Sequence, residues 1–282
     1  MKKILLPTDF SNNAWNALFT SLKLYTDVAC HFYLLNAHEP NFANLMGNKG
    51  KQRLGFIYDS MEAYSNQELD KMLDYLKKNH KNSKHSFEKI SRTDDLVSAI
   101  TEMVLKKDVE MIIMGTQGAT GAKEVFMGSN TVKAIKAIRN RPVIAVPENY
   151  DFKALKNIVF PTDFMRPYER FELKPLVELA SLWTTKILVF QVGQEFLMND
   201  IQIANRELLS ERLEEIAHDF FDVEFKTGVV DAIGQFAKEQ DADMVSLVHY
   251  EHTFMEKLIR EPVVKKVAFH SKVPFLVLPE LS

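Results

Sequence analysis

Two glycines, Gly115 and Gly118, follow the apolar run Met111-Ile112-Ile113-Met114, and nine residues beyond them Gly128-Ser129-Asn130-Thr131 opens a helical pattern. Glycine lets a backbone approach a ligand closely, and a Gly-Ser pair at a helix start offers amides and hydroxyls to an anion. In outline this is a phosphate cradle, although a turn after a strand favours glycine for its own reasons. It is not a Walker loop, because no Gly-Lys-Ser/Thr occurs, and not the compact Gly-x-Gly-x-x-Gly of a dinucleotide site. A second polar set, Pro7-Thr8-Asp9, also follows an apolar run, Ile4-Leu5-Leu6.

These residues need a scaffold that brings strand ends together, and the chain encodes one twice. Lys3-Ile-Leu-Leu-Pro-Thr-Asp-Phe-Ser11 returns as Asn157-Ile-Val-Phe-Pro-Thr-Asp-Phe-Met165, 154 positions later. Arg141-Pro-Val-Ile-Ala-Val-Pro-Glu148 is matched by Val273-Pro-Phe-Leu-Val-Leu-Pro-Glu280. Units this long are domains rather than solenoid repeats, which predicts one domain over residues 1–150 and another over 151–282.

Within the first copy, strands are expected at Lys3 to Pro7, His31 to Ala37, Ser86 to Ile90, Met111 to Gly115 and Pro142 to Val146. Helices are expected at Asn12 to Tyr25, capped by Ser11 or Asn12, at about Tyr58 to Lys78, at Leu96 to Lys106 and at Thr131 to Ile138, with a loop through Gly47, Gly50 and Gly55. The second copy reads alike, with a helix through Glu207 to Phe220 and strands at Val223 to Thr227 and Phe275 to Leu278. The strands are apolar on both faces, so helices must cover both sides. The fold class is α/β: two tandem, doubly wound, five-stranded parallel sheets. Such sheets bind ligands beyond the carboxyl ends of their strands, where the glycines and Asp9 fall. The apolar edges Val143 to Val146 and Phe275 to Leu278 are expected to pair with each other, so that one chain imitates a dimer.

Composition bounds the rest. With 46% hydrophobic and 26% charged residues, the 282-residue chain can bury two ordinary cores. The single cysteine, Cys30, excludes an internal disulfide, and neither a signal-peptide core nor an apolar run of membrane-spanning length is found, so a cytoplasmic location is expected. Residues 1–150 carry a net charge of +4 and residues 151–282 one of −7, which favours an anionic ligand in the first copy. No basic cluster interleaved with aromatics points to nucleic acid.

Gly115-x2-Gly118-x9-Gly128-Ser129 is similar to the pattern of ATP-binding universal stress proteins, and Pro7-Thr8-Asp9 resembles that family's adenosine-contacting segment. The resemblance spans the chain and matches the tandem members of the family, whose architecture is adenine nucleotide alpha-hydrolase-like. It implies that Pro7, Thr8, Asp9 and the backbone near Ala37 hold adenine and ribose, and that Gly115, Gln117, Gly118, Gly128, Ser129, Asn130 and Thr131 hold phosphates. It further implies ATP as the ligand, with magnesium or manganese, and a regulatory role in stress through a protein partner. One departure is Ser91-Arg-Thr-Asp-Asp95 where the family has a glycine-containing turn; Thr93 or Asp94 would cap the following helix there.

The second copy has lost the cradle: Val248-His-Tyr-Glu-His252 and Glu261-Pro-Val-Val264 replace the two glycine clusters. His249, Glu251 and His252 form a set that could ligate zinc if a further ligand converged, or serve as loop residues. Catalysis has little support. Asp9 as base, or Thr8 or Ser129 as phosphate acceptor, would allow slow hydrolysis or autophosphorylation. The competing reading is a nucleotide-independent scaffold or a carrier of a metabolite, lipid or metal. An alpha-hydrolase-type enzyme would need a Ser-Gly-Gly-x-Asp-Ser-like loop, which is lacking. A homodimer of the whole chain stays open.

Overall fold

The computed structural model describes residues 1–39, 50–116, 128–192, 198–222, 228–248 and 273–280, with the backbone alone for 50–56 and 230. The first half runs β1 (Lys2–Pro7), α1 (Asn12–Leu24), β2 (Cys30–Ala37), α2 (Gly50–Asn79), β3 (His85–Arg92), α3 (Leu96–Lys107), β4 (Met111–Gly115), α4 (Ser129–Ala137) and β5 (Val143–Val146). The second runs β6 (Asn157–Thr162), α5 (Arg170–Trp183), β7 (Lys186–Gln191), α6 (Asp200–Arg212), β8 (His218–Asp222), α7 (Val229–Glu239), β9 (Met244–Val248) and β10 (Phe275–Leu278).

The strands lie in one ten-stranded sheet, ordered β3-β2-β1-β4-β5-β10-β9-β6-β7-β8. Each half is a parallel five-stranded set. The two sets join through β5 and β10, which pair antiparallel with Leu276 opposite Ile144. The expected edge pairing therefore occurs within one chain, and the two sheets are continuous. Alternate strand residues feed two cores. Ile4, Leu6, Met111 and Ile113 pack with α1, α2, α5 and α6 on one face. Leu5, Ile112 and Met114 pack with α3, α4 and α7 on the other. Among the described residues, no helix is long and apolar enough to cross a membrane.

The link between the halves is itself packed. Phe152 and Leu155 are buried. The Asn16 side-chain amide donates to the carbonyls of Pro147 and Tyr150, each at 2.9 Å, and of Glu148 at 3.2 Å. Trp183 Nε1 donates to the Leu24 carbonyl at 3.0 Å, tying α5 to the end of α1.

Several expected boundaries move. Helix α2 starts at Gly50, so Gly50 and Gly55 belong to a helix and not a loop; Gly47 lies outside the described residues. The second-copy helix expected at Glu207 to Phe220 is α6, Asp200–Arg212, set by a reciprocal capping box between Asn199 and Gln202. The next strand is His218–Asp222. It is an edge strand only partly buried; the strand expected at Val223 to Thr227 lies outside the described residues. The helix after β3 is capped by Asp95, whose carboxylate accepts from the Val97 and Ser98 amides, rather than by Thr93 or Asp94.

Candidate functional site

The order of the first half reverses between β1 and β4, and a cleft opens beyond the carboxyl ends of these strands. It measures about 690 Å³ including the solvent space at its mouth, and it is lined by residues that include Pro7, Thr8, Asp9, Ala37, Gly115, Gly128, Ser129, Asn130 and Thr131. Gln117 and Gly118 lie outside the described residues. Three lining residues were not anticipated: Ala14, Leu96 and Met114. Two of them sit in the first turns of α1 and α3, and their only sequence signal is that those helices start beside the switch point.

The wall after β1 is a built turn. The Thr8 amide donates to the Leu35 carbonyl and the Asn36 side chain donates to the Thr8 carbonyl, fixing β1 against β2. Thr8 Oγ1 accepts from the Phe10 amide at 3.0 Å, and Asp9 Oδ1 accepts from the Ser11 amide at 3.1 Å. Phe10 is thereby held at φ 64°, a region that bulky side chains rarely enter. The second half repeats this turn: Thr162 Oγ1 accepts from Phe164, Asp163 Oδ1 from Met165, and Phe164 has φ 53°. The repeated Pro-Thr-Asp-Phe is thus a turn-forming device in both halves.

On the opposite wall, Gly128 is the N-cap of α4, with φ −62° and ψ 155°, and provides no side-chain cap. Its own amide donates to the Thr116 carbonyl. The Thr131 hydroxyl is buried and donates to the Gly115 carbonyl at 2.8 Å, latching α4 onto β4. This narrows the expected phosphate contacts. The Gly128 amide and the Thr131 hydroxyl proton are engaged within the fold. The amides of Ser129, Asn130 and Thr131 open the helix, where no intrahelical acceptor exists. The exposed side chains of Ser129 and Asn130 stand beside them. Gly115 also departs from expectation: the space a β-carbon would need there is taken by the Asn13 side chain of α1.

Among the described lining residues, Pro7, Ala14, Ala37, Leu96 and Met114 are apolar. An apolar wall facing uncapped amides suits a ligand with a flat hydrophobic end and an anionic end. Next to Ala37, burial pushes the His38 imidazole below its ordinary value, and its Nε2 lies 3.1 Å from the Thr93 hydroxyl. Among the described residues, no group of three or more His, Cys, Asp or Glu side chains converges as a metal site. His249, Glu251 and His252 lie outside those residues, as does Glu261-Pro262.

Two positions that line this cleft differ in the second half. Thr162, the counterpart of Thr8, is fully buried, and its Oγ1 accepts from the buried Tyr168 hydroxyl at 2.7 Å. Ala14 is the third residue of α1; the third residue of α5 is Glu172, buried and paired with Arg166 at 2.9 Å. Burial raises the Glu172 carboxyl above the ordinary carboxylate range despite that pairing.

The sequence model of the universal stress protein family matches residues 1–147. A universal stress protein of Methanocaldococcus jannaschii is 30% identical over 161 residues, covering 51% of this chain and 94% of the relative. Among solved structures, a universal stress protein from Archaeoglobus fulgidus has TM-score 0.67 and 16% identity, covering 98% of this chain and 96% of its own. A Pseudomonas aeruginosa protein described as functionally unknown has TM-score 0.58 and 13% identity, covering 99% of this chain and 92% of its own. At such identities the structural likeness speaks to the fold alone, here over both halves.

Proposed function

The chain belongs to the universal stress protein family, and on that premise we propose that its N-terminal half binds ATP as a regulatory ligand. The supporting observation is the α4 start: a glycine N-cap with no side-chain acceptor, beside exposed Ser129 and Asn130, in a cleft also lined by the apolar Pro7, Ala14, Ala37 and Leu96. Phosphates would lie against the Ser129, Asn130 and Thr131 amides, where the helix dipole favours negative charge. Adenine and ribose would occupy the space between Pro7, Ala14, Ala37 and Leu96, beside Asp9. Magnesium or manganese, if present, would be carried largely by the phosphates.

The role is binding rather than turnover, since Asp9 Oδ1 holds the Ser11 amide and Asp163 does the same in the second half. Residues 151–282 would act as a fixed internal partner that takes no nucleotide. Burial of Thr162 under Tyr168 and the Arg166–Glu172 pair at the α5 start support this. The exposed surface around the cleft would then report occupancy to a protein partner during stress.

Titration with ATP, followed by thermal unfolding, tests the reading. Saturation at 100 times the dissociation constant should add about 2.7 kcal/mol of stability. No shift at any concentration would remove ATP as the ligand and favour a nucleotide-independent carrier.

A further inference from the structure

A second organised cluster lies on the outer edge of the sheet, at the amino ends of β2 and β3 and so opposite the cleft. Ser86 Oγ is 2.7 Å from His31 Nδ1. His31 Nε2 faces Glu88 Oε2 at 3.5 Å. Glu88 Oε1 in turn accepts from Lys107 Nζ at 2.8 Å, and Lys107 lies over the Tyr33 ring, which packs T-shaped against the His31 ring. The register that sets Ser86 beside His31 and Glu88 beside Tyr33 places all four side chains on one face of the two strands.

We propose that Ser86 is an activated nucleophile, with His31 as its general base, and that this edge takes acyl groups from small activated esters. The three roles of a nucleophile, a base within hydrogen-bond reach and a third group that orients the base are filled by Ser86, His31 and Glu88. The Lys107 bond holds the Glu88 carboxyl below its ordinary value, so the orienting group stays anionic near neutral pH. With its proton on Nε2, toward Glu88, His31 offers the Nδ1 lone pair to the Ser86 hydroxyl, which also lies 3.4 Å from the Cys30 carbonyl. Ser86 is exposed and β3 ends the sheet, so substrate can approach from solvent. The Cys30 amide donates to the Lys84 carbonyl, and the alternation of a parallel ladder then turns the Phe87 amide outward along the free edge. The amide of the residue after the nucleophile is one of the usual donors to a developing oxyanion.

In the first step the Ser86 Oγ–acyl carbon bond forms, the bond from acyl carbon to aryl oxygen breaks, and the Ser86 proton passes through His31 Nδ1 to the departing aryloxide. In the second, water attacks the acyl carbon, His31 takes its proton and returns it to Ser86 Oγ, and the free acid leaves. Ester and water become acid and phenol, with no change of oxidation state. Ser86 and His31 are the catalytic residues; Glu88 and Lys107 are positioning residues.

The test uses the full chain with p-nitrophenyl acetate and a fluorophosphonate probe. A single adduct on Ser86 is expected by peptide mass mapping, with hydrolysis falling roughly 100-fold or more in Ser86→Ala and His31→Gln. Glu88→Gln should shift the pH profile of acylation while leaving thermal stability and substrate KM in place. Wild-type hydrolysis no faster than buffer, an adduct elsewhere, or unchanged hydrolysis in Ser86→Ala would each overturn the proposal. It stands apart from nucleotide binding, and neither outcome bears on the other.

Discussion

Asn13 occupies the volume that a side chain at position 115 would need: a β-carbon on Gly115 would lie 2.5 Å from Asn13 Oδ1 and 2.6 Å from Asn13 Cγ. Asn13 is buried and its Nδ2 donates to the Val146 carbonyl at 2.9 Å, so it is wedged between β4 and β5 and has little room to move. Gly115→Ala is therefore expected to destabilise by about 1–3 kcal/mol through overpacking. Asn13→Ala alone should also destabilise, by about 0.5–1.5 kcal/mol, because the Val146 carbonyl keeps the Thr116 amide but loses the Asn13 donor. The double variant should lose clearly less than the sum. Urea unfolding of the four proteins checks this, and strict additivity would show that the two positions do not share the space.

At Gly128 stability and binding should move in opposite directions. Its extended backbone suits any residue, and aspartate is a better N-cap than glycine by a few tenths of a kcal/mol. Gly128→Asp should leave the ligand-free melting temperature unchanged or slightly raised. Its carboxylate would occupy the anion position, so ATP-dependent stabilisation should disappear. Paired melts with and without ATP decide this.

Glu172 gives a pH signature. Burial raises its folded pKa above the unfolded value, so folding takes up a proton. The associated stability is present below the unfolded pKa, about 4.3, and is lost as pH rises through the folded pKa. Glu172→Gln keeps an acceptor for the Glu169 amide and removes the titration. Relative to wild type, the variant should gain stability as pH climbs through and above the carboxylate range. Urea unfolding across that range measures it, and a pH-independent difference would contradict it.

The link between the halves depends on Asn16. Asn16→Ala leaves the carbonyls of Pro147, Glu148 and Tyr150 without that donor. A loss of about 1–3 kcal/mol is expected, with faster protease cleavage within residues 148–156. Unaltered cleavage would show that Phe152 and Leu155 hold the link by themselves.

The sequence carried the architecture where burial was uniform. Apolar runs such as Ile4-Leu5-Leu6 and Val143-Ile144-Ala145-Val146 are buried on both faces, and the repeat announced both the doubling and the edge strands that meet. It carried less at partly solvated elements. The edge strand His218–Asp222 reads as polar, and the Asn199–Gln202 capping box was a written start signal that the neighbouring apolar residues masked. At the cleft, residue types pointed to the right strand ends, but not to the partner each would take. Gly115 answers to Asn13, the Thr131 hydroxyl answers to Gly115, and such pairs join positions more than a dozen residues apart. Ala14, Leu96 and Met114 have no chemical signature at all, since an apolar wall is defined by position alone.

Calorimetric titration of the full chain with ATP and magnesium puts the central reading to its most direct test. The account predicts one site per chain in wild type and no measurable binding in Gly128→Asp. Two sites per chain, or a Gly128→Asp isotherm indistinguishable from wild type, would contradict it.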